Sequence, residues 1–379
     1  MKLFFTFFAS ILAAGLAILA ISFLAPLPIL YYQDFSVMYL TNKGLISGIP
    51  IYSYAEQLNF VKMITPPGFT FHPYPYPPWY ALATLFLGLL PIQVAARVWF
   101  FVNLAMLILS DWLLTPGWKG TRRILVFFAA IMFVPTFGLL VVGQYSVPVL
   151  LGAALFIYAA RIRSPIWLAV ALILMTFKPH IGGLLFLGGF AWLLFDRSSQ
   201  AKRALVFTIA GGLGLAAIGF VADPVWPLAY FQSLTSYRNI PGVQTCDLCA
   251  SLSVALVKLA TGQSSTYTAA LLSLVLALLA AWLLFGRLRA LLKIPAALMS
   301  LMALLTLLLD PYLLNYDYIL LLLPLFWLVR REKLAWGIYL LPWLALVIGR
   351  EGNVLLAFAG LVTFILILIP SIDAFNGEA

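Results

Sequence analysis

Residues 3–30 read LFFTFFASILAAGLAILAISFLAPLPIL, and this stretch decides the class of the fold. It contains no charged side chain and exceeds the ~20 apolar residues that an α-helix needs to cross a bilayer. A cleaved signal peptide would have an apolar region of only about 7–15 residues and a small-x-small cleavage site, and no clear site of that kind precedes Asp34. The stretch therefore predicts a first transmembrane helix.

The composition extends this assignment to the whole chain of 379 residues. Hydrophobic residues make up 64% of the chain and charged residues 9%, and the mean hydropathy is +1.07. Soluble globular domains do not have this balance. We therefore predict an all-α polytopic membrane protein that forms one integral-membrane domain over residues 1–379.

Apolar runs recur along the chain and predict about twelve crossings. They lie at residues 3–30, 93–114, 124–142, 145–160, 165–177, 181–195, 204–222, 264–285, 294–309, 317–329, 335–349 and 353–370. Residues 79–91 are short for a crossing and suit a re-entrant or interfacial helix. If they do not cross, most of the 22 Lys and Arg residues lie in inner loops, as the positive-inside rule requires; if they cross, most lie outside. The first arrangement places both termini inside and the segments 31–92, 223–263 and 310–317 outside.

The formal net charge of +10 does not indicate a nucleic-acid-binding protein, because the basic residues cluster in short loops between apolar runs. The two cysteines, Cys246 and Cys249, lack the further ligands of a metal site, so we expect either a local disulfide or two free thiols. The sequence contains no P-loop, dinucleotide fingerprint or Asp-x-Asp motif. The scattered acids give no recognisable cation cage, so we predict no cofactor and assign no metal ligands, while metal dependence stays open.

Asp34 follows the first predicted crossing, and a carboxylate at the mouth of a membrane bundle usually serves chemistry or transport. Tyr31, Phe35 and Met38 are spaced i, i+4, i+7, which predicts an interfacial helix that ends at Gly48-Ile49-Pro50 and keeps Asp34 off its apolar stripe. In such a half-dry position Asp34 is a competent general base. The alternative is an interfacial acid that pairs with a nearby cation.

Lys178 is the second candidate. It lies in an apolar run, and Pro179 breaks the helix there and frees backbone groups for a ligand. A lone ammonium at that depth needs an anion, and a phosphate is the obvious one. The alternative is a lysine at a helix end whose side chain reaches the interface. His180 shares this outer turn, and Gln144 lies in another.

Residues 310–318, DPYLLNYDY, join two apolar helices at the outer face. Their acids and tyrosines, including Tyr316 and Asp317, predict a polar rim around a cavity. Alternatively, the acids cap helix ends, since Asp317 stands at a predicted helix start. The aromatic, proline-rich residues 69–80 suit stacking on sugar rings or polyprenyl chains, or an aromatic belt at the interface.

Taken in order, these short motifs resemble the membrane glycosyltransferases of family 87, in the GT-C superfamily. The resemblance extends over residues 31–324. Its pieces are Asp34-Phe35, Gly48-Ile49-Pro50-Ile51-Tyr52, Tyr76-Pro77-Pro78, Leu89-Leu90-Pro91, Gly143-Gln144, Phe177-Lys178-Pro179, Pro311-Tyr312 and Tyr316-Asp317. It implies a GT-C-like bundle with a large first extracytoplasmic segment that contains interfacial helices.

The resemblance also implies an activity: an inverting hexosyltransferase that moves a sugar, usually mannose, from a polyprenyl-phosphate donor to a glycolipid or glycan hydroxyl. The reaction would take place on the extracytoplasmic face of the plasma membrane, in the cell envelope. Asp34 would be the base, and Lys178 would steady the phosphate charge. The substrate cavity would also be lined by His180, Gln144, Tyr76, Tyr316 and Asp317. Some relatives carry Trp and His at the last motif, so a histidine proton relay here would need His180 or His72.

A protein of another class, a secondary transporter or lipid flippase, could use Asp34 and Lys178 as substrate or proton groups. Transporters often have broken helices at corresponding positions of two halves. The break at Pro179 has no obvious counterpart, and the long first outer segment is unusual for a carrier. The glycosyltransferase is therefore the leading expectation, and it requires Asp34 and Lys178 to share one pocket.

Overall fold

The computed structural model describes residues 33–118, 120–328 and 334–368. The predicted first crossing at 3–30 and Tyr31 lie outside these ranges. Within them every regular element is helical, apart from an isolated antiparallel bridge between Cys249 and Leu314. The predicted all-α class is confirmed.

The α-helices are α1 Gln33–Ile46, α2 Tyr54–Ile64, α3 Pro78–Thr84, α4 Ile92–Leu114, α5 Gly120–Met132, α6 Val134–Val142, α7 Val147–Ile162, α8 Pro165–Met175, α9 Pro179–Asp196, α10 Ser199–Ala222, α11 Trp226–Arg238, α12 Pro241–Gln244, α13 Leu252–Thr261, α14 Thr266–Leu284, α15 Leu288–Leu291, α16 Pro295–Leu309, α17 Leu322–Leu328, α18 Leu334–Ile348 and α19 Asn353–Leu368. Short 3₁₀ helices occupy Leu85–Leu89, Phe285–Arg287, Asn315–Leu321 and Gly349–Gly352. Proline begins α3, α8, α9 and α16, because its fixed φ suits the first turn, where its missing N–H is not needed.

Four of the described helices, α4, α9, α10 and α14, are long and apolar enough to cross a membrane. Helices α5 and α6 add a fifth candidate if the pair, which is bent by 63°, forms one span. The remaining apolar helices have 10–17 residues, fewer than the ~20 of a regular crossing. The chain is thus a multi-pass membrane protein, and the number of about twelve crossings stays a prediction.

Helix α3 and the 3₁₀ helix that follows it cover most of the ambiguous segment 79–91. With 7 and 5 residues, these elements rise about 20 Å together, against a hydrocarbon core of about 30 Å. The segment is too short to cross the core, in agreement with the interfacial or re-entrant interpretation.

Helix α1 lies in the interior of the protein. Phe35 and Met38 of the predicted apolar stripe are buried, but Thr41 and Asn42 are buried as well. The 3₁₀ helix Leu85–Leu89 and α2 pack against α1. The prediction of an interfacial amphipathic helix is therefore wrong, because later segments cover the polar side of this helix too.

Several helix ends meet at one end of the bundle. The 3₁₀ helix Asn315–Leu321 packs against α6 and α16, and α16 packs along α9. Helix α1 contacts α6. The start of α1, the turn after α6, the start of α9 and the end of α16 are thereby brought together, and these positions hold most of the polar residues that the sequence singled out.

A disulfide links Cys246 and Cys249, whose Cα atoms are 5.3 Å apart. The chain beyond it is tied to the polar segment around residues 313–318: Ala250 N–H donates to the Leu313 carbonyl at 2.8 Å, and the Tyr318 hydroxyl donates to the Ala250 carbonyl at 2.8 Å. Of the two alternatives for the cysteines, the structure contains the disulfide. Its loop braces the residues between Leu313 and Tyr318.

Candidate active site

A buried ion pair lies at the centre of the site. Lys178 Nζ is 2.6 Å from Asp317 Oδ1, and the two side chains are 1% and 0% exposed. Lys178 directly precedes α9, and Asp317 lies in the first turn of the 3₁₀ helix Asn315–Leu321. Two helix starts that are 139 residues apart in sequence thus face each other.

The ammonium of Lys178 uses all three of its N–H donors within the protein. Besides Asp317, it donates to Ser146 Oγ at 3.0 Å and to Gln144 Oε1 at 3.2 Å. Lys178 is therefore not a lone ammonium, because the fold itself supplies an anion, and its contact with a phosphate stays a prediction. The alternative of a lysine that reaches the interface is wrong, because the side chain is buried.

Ser146 belongs to this network, although the sequence analysis did not identify it. Its hydroxyl donates to Asp317 Oδ1 and accepts from Lys178 Nζ. The serine directly precedes α7, where a serine usually caps the helix, but its side chain makes no capping hydrogen bond and turns to the ion pair instead. A local pattern would therefore assign this serine to helix capping.

Asp34, in the first turn of α1, lies beside the network and remains partly exposed. Gln144 and Tyr316 are polar neighbours of its carboxylate, and both favour the charged form. Gln144 Nε2 also donates to the Tyr316 hydroxyl at 2.6 Å, while Gln144 Oε1 accepts from Lys178. One amide side chain thus connects the carboxylate of Asp34 with the ammonium of Lys178.

Burial raises the pKa of the Asp34 carboxyl above its usual value of 3.8, because the charged form loses hydration. Hydrogen bonds from Gln144 and Tyr316 and the charge of Lys178 oppose this rise without cancelling it. A carboxylate with a raised pKa accepts a proton more readily than a fully hydrated one. The electrostatics of the site therefore suit Asp34 to the work of a general base.

His180, in the first turn of α9, forms part of a more exposed rim. Its Nε2 lies 3.9 Å from Asp317 Oδ2, and its side chain is 31% exposed. The ring packs edge-on against Tyr312, and the Tyr312 hydroxyl lies 2.8 Å from that of Tyr237. Tyr237, on α11, was not identified from the sequence, because no local pattern links it to Tyr312, which is 75 residues away in the chain. The rim offers an imidazole and two hydroxyls above the buried pair.

Tyr76 belongs to a cluster of buried aromatic rings near Asp34. Its ring centroid lies 5.1 Å from that of Tyr145 and 5.8 Å from that of Tyr80. The Tyr145 hydroxyl donates to the backbone carbonyl of Asp34. Burial lowers the pKa of His72, and the nearby Asp34 charge partly offsets this shift. Because these tyrosines are buried, the alternative of an aromatic belt at the interface is wrong for them.

The turn that carries Gln144 depends on Gly143, which ends α6 with a left-handed φ of +69°. A Cβ at this position would lie 2.8 Å from the Cβ of Phe35, the residue after Asp34. Glycine is needed here both for its backbone conformation and for the close approach of α1.

Across residues 33–118, 120–328 and 334–368, no group of three or more His, Cys, Asp or Glu side chains is placed to hold a metal ion. What the site offers chemically is a partly exposed carboxylate, a buried positive charge next to it, and a rim of hydrogen-bonding groups. This arrangement can take a proton from a hydroxyl and stabilise negative charge nearby.

The model of glycosyltransferase family 87 matches residues 74–311, which is more than half of the chain. Asp34, Tyr316 and Asp317 lie outside the matched range. The range contains Tyr76, Gln144, Lys178 and His180. No curated protein and no solved structure gives a significant match. The extent of the family match shows that the chain belongs to glycosyltransferase family 87 and is a membrane glycosyltransferase.

Proposed function

We propose that this enzyme is an inverting hexosyltransferase that transfers a sugar, mannose by its resemblance, from a polyprenyl-phosphate donor to a hydroxyl of a glycolipid or glycan. The observation that carries the proposal is the setting of Asp34, a partly exposed carboxylate that lies beside Gln144, Tyr316 and the charge of Lys178. A displacement that deprotonates a hydroxyl and releases a phosphate needs a base and a nearby positive charge.

In the proposed reaction, the carboxylate of Asp34 accepts the proton of the acceptor hydroxyl. The hydroxyl oxygen attacks C1 of the sugar, the bond between C1 and the phosphate oxygen breaks, and the polyprenyl phosphate leaves with the bonding electrons. A single displacement inverts the configuration at C1. Because a phosphate leaves readily, no general acid is required, and the proton on Asp34 passes to solvent before the next turnover.

The role of Lys178 needs refinement, because its three donors are already engaged. A phosphate oxygen can bind the ammonium only by replacing one acceptor, and the longest contact is the one to Gln144 Oε1, at 3.2 Å. We infer that Lys178 first holds Gln144, Ser146 and Asp317 in place and reaches the phosphate through such an exchange. The exposed His180 is the group placed to donate to a phosphate oxygen at the rim.

The distribution of charge supports a location and a topology for this reaction. We propose a single GT-C-like domain of about twelve crossings in the plasma membrane, with both termini in the cytoplasm. The extracytoplasmic segments are 31–92, 223–263 and 310–317, and they contain Asp34 and most of the rim. The sugar donor would then enter from the outer leaflet, and the product would belong to the cell envelope.

The transporter that the sequence analysis kept open is no longer favoured, because the chain belongs to a glycosyltransferase family. A carrier would move labelled substrate across sealed vesicles without forming a covalent product. An enzyme transfers the label to an acceptor and needs no closed compartment.

The proposal is tested with protein reconstituted in lipid nanodiscs, where no transport can occur. β-linked polyprenyl-phosphate [¹⁴C]mannose is supplied with glycolipids extracted from the source membranes, and GDP-mannose replaces it in a parallel reaction. We expect α-linked mannose in the extracted lipids from the first donor and none from the second. Transfer from GDP-mannose, or a β-linked product, would contradict the proposed donor or the inverting mechanism.

A further inference from the structure

A cavity of about 690 Å³ lies at the end of the bundle opposite the ion pair. Helix α7 starts after Ser146, and Arg161 in its last turn lines the cavity. Helix α9 starts after Lys178, and its last residue, Asp196, lines the cavity too. Helix α16 runs the other way and starts at the cavity with Pro295. With 16 residues, α7 alone separates the two sites by about 24 Å.

The opening of this cavity is cationic. Among the described residues, Arg161, Arg163 and Lys293 line it together with one acid, Asp196, and all four side chains are exposed. In the part of the chain that the structure describes, none of these three cations forms an ion pair with an acid. No described acid therefore competes with a ligand for these three cations.

The inner wall of the cavity is apolar and aromatic. Leu168 and Phe326 are buried, and Trp192 and Trp327 are half-buried beside them. A cationic opening above a hydrocarbon wall complements an amphiphile with a phosphate head, and basic pockets between transmembrane helices bind such lipids. A free phosphate or a sugar phosphate would leave the apolar wall unused.

The backbone conformation of Arg163 supports a role for its charge at the opening of the cavity. Arg163 ends α7 in the left-handed conformation, with φ of +54°. Glycine is the usual residue at such a helix end, because a Cβ is disfavoured there. The chain nevertheless places an arginine at this position, on the edge of the cavity.

From these observations we infer that the cavity binds an anionic phospholipid of the bilayer. Its phosphate contacts Arg161, Arg163 and Lys293, and an acyl chain lies along Trp192 and Trp327. This site is separate from the active site and serves no step of sugar transfer, so it stands whether or not the proposed donor is right.

The test measures phosphatidylglycerol bound to the full-length protein in detergent, by native mass spectrometry and by the rise in Tm on titration. The variant R161Q/R163Q removes two charges from the opening. The matched control K202Q/R203Q removes two exposed charges near the start of α10, at positions that do not line the cavity. We expect affinity for phosphatidylglycerol to fall about tenfold or more in the first variant and by less than about twofold in the control.

Glutamine has the same Cβ as arginine, so R161Q/R163Q does not alter the backbone strain at position 163. A second variant, A296F, adds bulk to the wall without a change of charge and should also weaken binding. An equal loss in R161Q/R163Q and K202Q/R203Q, or no loss in either, would overturn the proposal. Equal binding of phosphatidylcholine, or tighter binding of a polyprenyl monophosphate or of inorganic phosphate, would overturn the assignment to an anionic phospholipid.

Discussion

Lys178 and Asp317 form a buried ion pair, with Nζ and Oδ1 2.6 Å apart, between the starts of two helices. The pair belongs to the fold as well as to the site, because the same ammonium holds Gln144 and Ser146. Desolvation of two charges is costly, and the loss of one partner leaves the other uncompensated in the interior.

Single substitution of either partner should therefore destabilise the protein. We expect K178M and D317L each to lower the free energy of unfolding by about 3–5 kcal/mol, and the double variant to recover much of that loss without recovering activity. Thermal unfolding in detergent, together with mannose transfer, measures both effects. A double variant that is as unstable as the two losses summed would show that the pair does not act as a unit.

The loss of Asp34 as base should reduce catalysis without a loss of fold. Substitution D34N keeps the shape of the side chain, and we expect kcat to fall by about 10²–10⁴-fold with little change in Tm. The control is E56Q, which neutralises an exposed carboxylate on α2. Full activity of D34N would remove Asp34 from the reaction.

Activity should fall on acidification, because Asp34 must be ionised to accept a proton. Its raised pKa places the acidic limb of the pH–activity profile above pH 3.8. Removal of the Tyr316 hydroxyl in Y316F takes away a hydrogen bond that lowers the pKa, so the limb of kcat/KM should move to higher pH. Identical limbs in the wild type and Y316F would assign the titration to another group.

The same pKa shift has an opposite effect on stability. A carboxyl whose pKa is higher in the folded state binds more protons when folded, so its contribution to stability decreases as pH rises from the unfolded pKa to the folded one. Between these two pKa values, acidification should thus reduce activity while the Asp34 contribution to stability grows. Comparison of Tm against pH for the wild type and D34N isolates this contribution, and parallel curves would contradict it.

Substitution G143A should damage both the fold and the site. Alanine disfavours the left-handed φ of +69°, and its Cβ would meet the Cβ of Phe35 at 2.8 Å. We expect a loss of about 1–3 kcal/mol in the free energy of unfolding, because α1 must move away from the turn that carries Gln144 to make room for the methyl group. The same movement should lower kcat. In the control G212A on α10, the added Cβ meets nothing within 4 Å, and Tm should not fall.

Removal of the disulfide should loosen the segment that carries Tyr316 and Asp317. For its short loop, we expect C246S/C249S to lose about 2 kcal/mol of stability. Activity should fall as well, since the loop braces the chain at Leu313. Reduction of the wild type should reproduce the variant, and full activity of a protein with two demonstrably free thiols would contradict this role.

Local chemistry accounts for what could be predicted from sequence. Long apolar runs must become helices in a bilayer, because backbone polar groups need internal partners there. Pro179 breaks one run for a similarly local reason. Asp34, Gln144 and Lys178 were identifiable as candidates because a polar side chain in apolar surroundings is costly unless it serves a purpose.

Contacts between distant segments decided the rest. The partner of Lys178 is Asp317, and no local pattern links residues that are 139 positions apart. Likewise, the spacing of Phe35 and Met38 reveals one apolar face of α1, but only packing by later helices shows that the opposite face is buried. Composition and periodicity indicate which residues of a segment suit an apolar or a polar environment. Ion pairing and burial depend on which segments are in contact in the folded protein.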